Sequence, residues 1–108
     1  MANTFLRNTS NAIGTTYTTV YTAPVATTAI ILAGTIANTS TTDLVNTEVI
    51  VNNGTDDINV IGTLTPIPVG TALSFVDGKL VLQAGDVLKV KASLAGQLDV
   101  YISLMEMS

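Results

Sequence analysis

The chain has no cysteine, no histidine and no tryptophan among its 108 residues. Without Cys there is no disulfide, and no thiolate to hold a metal or attack a carbonyl. Without His, the commonest general base and the commonest metal ligand are both missing. Hydroxyls are plentiful, with eighteen threonines. A hydroxyl nucleophile needs a base beside it, however, and the usual one is absent. Neither G-x-G-x-x-G nor G-x-x-x-x-G-K-[ST] occurs, so the glycine-rich phosphate loops are missing too. The expectation is a protein that is not an enzyme and carries no cofactor and no metal.

Ionised side chains are the next scarcity. They make up 11% of the chain, against about 25% in ordinary soluble proteins. The mean hydropathy is +0.51, yet the longest apolar run, Ala29 to Ala33, is far short of the ~18 residues of a membrane helix. The start, MANTFLRNTSNAIG, lacks the basic opening and apolar block of a secretory signal. No membrane partner is expected. The net charge is −4 and the cations are only Arg7, Lys79, Lys89 and Lys91. A nucleic-acid site needs a basic patch to displace counterions, so no nucleic-acid partner is expected either. A surface with so little charge points to burial against neighbouring polypeptide, because isolated monomers keep apolar patches small.

What is present has the period of strands. Leu98, Val100, Ile102 and Leu104 alternate with Asp99, Tyr101, Ser103 and Met105, and Leu88, Val90 and Ala92 alternate with Lys89 and Lys91. A period of two sends one set to each face of a sheet. Tyr17, Thr19 and Tyr21 share one face on the same rule. The segment TAIILAGTIAN, 28–38, is mostly apolar and reads as covered on both faces, with Gly34 marking a bulge. Threonine favours the pleated surface, and no window carries a helical stripe. Turn signals recur at short intervals, and Asp77-Gly78 reads as a two-residue hairpin turn.

These features predict an all-β fold: a single antiparallel β-sandwich, jelly-roll-like, of about eight strands. The segments are 4–9, 15–22, 28–38, 46–52, 58–64, 72–76, 79–83, 86–92 and 97–106. Residues 1–14 form an N-terminal arm or a first strand, and 15–108 the sandwich domain. In the arm reading, Phe5 and Leu6 anchor on a neighbour. Pro66 and Pro68 cannot donate to a ladder, so they mark a sheet edge or a crossover.

Candidate chemistry is thin. Most of the eight acids fall at turns, where Asp bonds local amides. The stretch Asn52 to Asp57 is rich in oxygen but lacks the spacing of a calcium loop, and reads as a polar turn. Asp86, after Ala84-Gly85, reads as a turn acid capping backbone amides. Tyr17, Tyr21 and Tyr101 are candidates for a sugar platform or for core and interface packing.

The pattern of segments resembles small virion structural proteins of tailed bacteriophages. The likeness lies in Tyr21 to Pro24 (YTAP), Pro66 to Gly70 (P-x-P-x-G), Leu82 to Ala92 (L-x-AGD-x-LKV-x-A) and the closing strand Asp99 to Glu106. It spans roughly residues 17 to 106 and contains no catalytic signature. The resemblance implies a virion protein, foremost a capsid decoration (cement) protein on the capsid surface that binds between major capsid protein subunits. The alternative is a neck, tail or baseplate component that binds host-surface glycan. A homo-oligomer, with a trimer as the unit, is expected. The interaction residues expected are Phe5, Leu6, Tyr17, Tyr21, Pro66 and Pro68.

Overall fold

Alternating inward residues at both ends of the chain build one long antiparallel hairpin, rolled upon itself. The computed structural model describes residues 3–108, which hold ten strands and no helix: β1 (Asn3–Ser10), β2 (Thr18–Thr22), β3 (Thr28–Asn38), β4 (Val45–Asn52), β5 (Asp57–Asn59), β6 (Thr65–Ile67), β7 (Ala72–Ser74), β8 (Leu80–Leu82), β9 (Val87–Ala92) and β10 (Leu98–Met107). The pairings nest. β4 takes β5 and β6, β3 takes β7 and β8, β2 takes β9, and β1 takes β10. Rolling the hairpin adds β3 to β10 and β4 to β9. The result is two sheets, β1-β10-β3-β7/β8 and β2-β9-β4-β5/β6. That is a jelly roll with eight strand positions, two of which are each split into two short segments.

The segment at the N-terminus is a strand. β1 pairs residue for residue with β10 from Asn3↔Met107 to Ser10↔Val100. Residues 1 and 2 of the expected arm lie outside the described residues.

The inward rows make the core. Leu98, Val100, Ile102 and Leu104 face Leu88, Val90, Val45 and Val49 across the sandwich, and all are buried. Each such side chain contributes about 1.5–3 kcal/mol on burial. β3 shows how a bulge serves this core. Ser103 pairs with Ala33 but Leu104 pairs with Ile31, so Leu32 is an extra residue. The inward set therefore changes from Ala29 and Ile31 to Gly34, Ile36 and Asn38. The bulge sits at Leu32, not at Gly34 as the sequence suggested. Gly34 instead makes room for an aromatic ring, because a Cβ there would lie 2.5 Å from Cζ of Phe75.

Three expectations need correction. Asp77-Gly78 does not turn a hairpin, because β7 and β8 both run antiparallel to β3 and so lie in line with each other. Phe75 turns into the core over Gly34, its N–H donating to the Gly34 carbonyl (3.1 Å). The chain then bends through Gly78, at φ 81°, before rejoining the sheet at Leu80. The segment 58–64 is likewise not one strand. β5 ends at Asn59, Val60 and Ile61 pack toward the core, and the chain rejoins β4 as β6. Pro66 sits on this edge segment, where its missing N–H costs no ladder bond. Finally, 28–38 is covered on one face only, since Leu32, Ala33 and Thr35 are exposed.

Asn38 locks the far end of β3. Its Nδ2 donates to the carbonyls of Asp43 and Ile67, both at 2.9 Å, and its Oδ1 accepts the Ser40 N–H at 2.9 Å. One buried amide thereby ties β3, the 39–43 loop and the Pro66–Pro68 segment together.

Candidate interaction surface

The two outer faces of the sandwich differ in kind. Odd-numbered residues of β1 and β10 point outward, opposite the buried row. Register then aligns Phe5, Met105, Ile30 and Val81 in one row across four strands. Phe5 is 74% exposed and Val81 56%. A second row runs Thr9, Tyr101, Thr35 and Ser74, and a third runs Asp99, Ala37 and Ala72. Across all the strands of this face, Arg7 and Asp99 are the charged residues. Asp99 is already engaged, since its Oδ1 accepts the N–H of Ala12 at 3.0 Å. That bond holds Ala12 in the left-handed region (φ 53°) where the chain leaves β1 for the other sheet.

The opposite outer face carries more charge, and part of it is paired. Glu48 on β4 is 5% exposed. Its Oε1 accepts the Tyr17 hydroxyl at 2.9 Å, its Oε2 accepts Asn59 Nδ2 at 2.8 Å, and Lys91 Nζ lies 3.4 Å away. Lys91 also sits 4.7 Å from the centre of the Tyr17 ring, within cation–π range. The gap between β5 and β6 lies opposite Glu48, which is what lets Asn59 reach the carboxylate. The Asn59 amide chiefly, with Tyr17 and Lys91, holds the Glu48 carboxyl below the ordinary glutamate value, against the opposing effect of burial. The same bond to Glu48, with some burial, raises Tyr17. This cluster escaped the sequence reading. Its signal was an acid inside the β-branched run VNTEVIVN, away from any turn.

The expected interaction residues scatter. Phe5 lies on the first outer face, while Leu6, on the same strand, points to the other side and is 39% exposed. Tyr17 belongs to the Glu48 cluster on the second face. Pro66 and Pro68 are exposed at and beyond the β6 edge. Tyr21 is a correction. The pairing of β2 with β9 shifts between Thr19 and Tyr21, so Tyr21 leaves the face it was expected to share with Tyr17. It is buried, and its hydroxyl donates to the Glu106 carboxylate of the other sheet. Burial first, and that bond second, raise its pKa. Tyr21 is a strut between the sheets and presents no surface to a partner.

The polar turns consume their own oxygen atoms. Asn52 Oδ1 accepts the Gly54 N–H, Asn53 Oδ1 accepts those of Thr55 and Asp56, and Asn52 Nδ2 donates to Asp57. Asp86 Oδ2 accepts the Gln83 N–H at 3.0 Å, the turn chemistry expected of it. Ala23 exchanges two backbone bonds with that turn, Gly85 N to Ala23 O and Ala23 N to Asp86 O, both 2.9 Å. The YTAP and AGD segments thus meet each other as scaffold.

A concavity of about 330 Å³ opens on the first outer face, lined by Thr9, Asn11, Thr35, Asp99 and Tyr101 among others. Comparison with known proteins adds no relative: no family model, no curated protein and no solved structure matches this chain.

Proposed function

We propose that this chain is a non-enzymatic structural protein of a phage virion, foremost a capsid decoration protein that binds between major capsid protein subunits. The observation that carries the reading is the first outer face. It exposes a four-strand row of Phe5, Met105, Ile30 and Val81 with two charged residues across it, while the opposite face carries Glu48, Lys89 and Lys91 on its two central strands. Covering the first face desolvates almost no charge, so it forfeits little of what association gains. The resemblance in the YTAP, P-x-P-x-G, AGD and closing-strand segments supplies the virion class. The test is binding of the purified protein to empty phage shells, followed by cryo-electron microscopy. Many copies spread over the shell support decoration. A few copies at a single vertex support a neck or tail role, and no attachment at all overturns the reading.

A second reading, a host-glycan module of a tail or baseplate, has one observation in its favour: Tyr101, half exposed, stands beside Thr9, Asn11 and Asp99 at the rim of the concavity. Sugar rings pack on aromatic faces while polar neighbours bond their hydroxyls. Titration with host-wall oligosaccharides, read by shifts of the Tyr101 resonances, supports it if they move and removes it if they do not.

A further inference from the structure

A sheet edge exposes a row of unpaired backbone groups that any other strand can join, and soluble proteins blunt such edges. Three of the four edge positions here are blunted. β5 and β6, on one side of the second sheet, have three residues each, with Pro66 in β6. β7 and β8, on one side of the first, are equally short. β2 has five residues and an interrupted register, and Asn8 Nδ2 donates to its Val20 carbonyl at 2.9 Å. β1 is the exception. It runs eight residues in unbroken register, without Pro, Gly or a bulge, and its one charge is Arg7. Among the described residues, no backbone bond beyond the ladder with β10 involves it.

We propose that β1 pairs antiparallel with β1 of a second copy, joining the two first sheets edge to edge across a two-fold axis. The composition of β1 favours its own copy. A two-fold axis normal to the sheet keeps each copy's outer face outward, so like faces must meet. With Leu6 on the axis, Phe5 of each copy stands opposite Arg7 of the other, Thr4 opposite Asn8, and Asn3 opposite Thr9. Both cations then gain an aromatic partner. Slipping each copy one residue in one direction places Arg7 against Arg7, a like-charge pair. Slipping the other way shortens the ladder and sets Arg7 against Asn3. The dimer is isologous and closed, and in it the Phe5–Met105–Ile30–Val81 row of each copy meets the Arg7–Ser103–Ala33 row of the other. The inference does not depend on the virion reading. A protein that fails to pair through β1 can still bind shells.

The absence of cysteine gives a clean experiment. A lone Leu6→Cys on the axis brings two thiols within the reach of a disulfide, since residues directly opposite in an antiparallel pair have Cα atoms about 4.5–5.5 Å apart. Under mild oxidation Leu6→Cys is expected to form a covalent dimer at least ~10-fold faster than Val25→Cys, a control on an exposed loop away from β1. Equilibrium sedimentation of the unmodified chain is expected to approach twice 11.2 kDa as concentration rises. Phe5→Lys, which sets Lys against Arg7, is expected to weaken that association, while Phe5→Tyr preserves it. A monomer at every concentration, a trimer, or equal cross-linking of Leu6→Cys and Val25→Cys overturns the inference.

Discussion

The tip of the Phe75 ring fills the space that a side chain on Gly34 would need, with Cζ 2.5 Å and Cε1 2.7 Å from where a Cβ would stand. This contact lies two residues beyond the β3 bulge at Leu32 and at the point where β7 gives way to β8. Gly34→Ala is expected to destabilise the fold by about 1–3 kcal/mol through overpacking. Phe75→Ala is expected to cost about 3–5 kcal/mol through the cavity it leaves. The double variant Gly34→Ala with Phe75→Leu should be less destabilised than the sum of its parts, because the smaller side chain yields the space. Urea unfolding of the single and double variants beside the wild type measures this. Strict additivity would show that the two residues do not share a site.

Glu48 makes stability depend on acid. Its folded carboxyl gives up its proton more readily than the ordinary value of 4.5. Its contribution is therefore present above that value and is lost as the pH falls through the lower, folded one. Glu48→Gln is expected to melt below the wild type at neutral pH, with the gap closing as the pH drops below about 4. Melting curves taken from pH 7 down to pH 3 give the answer, and a constant gap across the range would remove Glu48 as the source.

Tyr21 acts at the other end of the scale. Burial and its bond to Glu106 raise its pKa above the ordinary 10.0. A raised value means that the contribution is complete below 10 and is lost as the pH rises beyond it, when the unfolded chain ionises first. Tyr17 shifts in the same direction through its bond to Glu48. The wild type should lose stability between pH 9 and pH 11 more steeply than Tyr21→Phe, read as unfolding midpoints at the two values. Parallel losses would mean that the hydroxyl of Tyr21 is not what the alkali acts upon.

Much of the architecture was legible because it is periodic. Leu88, Val90 and Ala92 against Lys89 and Lys91 fixed the inner and outer faces of β9, and the bounds of 28–38 match β3 residue for residue. What failed was whatever depended on a residue far away in sequence. Asp77-Gly78 has the composition of a hairpin turn, yet Phe75 and Gly34 divert the chain before one can close. Tyr21 keeps the parity of Tyr17 in sequence but loses it to a shift against β9. Coverage of β3 on both faces was inferred from its apolar content, and the fold supplies only the inner cover. The candidate surface was legible in one respect, the scarcity of charge. Its position was not, because the row of Phe5, Met105, Ile30 and Val81 exists only once β1, β10, β3 and β8 are side by side.

That row gives the last prediction its contrast. Ile30 and Val81 face outward beside Met105, so a lysine at either position reaches water and leaves the core intact. Surface changes of this kind stay within about 0.5 kcal/mol. Ile30→Lys and Val81→Lys are therefore expected to melt close to the wild type, within a few degrees, yet to lose attachment to shells. A charge placed in the middle of an apolar contact must be desolvated with no partner to receive it. A matched change on the opposite outer face, Lys89→Gln, is expected to leave attachment intact. Pull-down of the three variants on shells, with melting curves as the control for folding, separates the faces. If Lys89→Gln abolishes attachment while the two lysine variants still bind, the contact lies on the polar face instead.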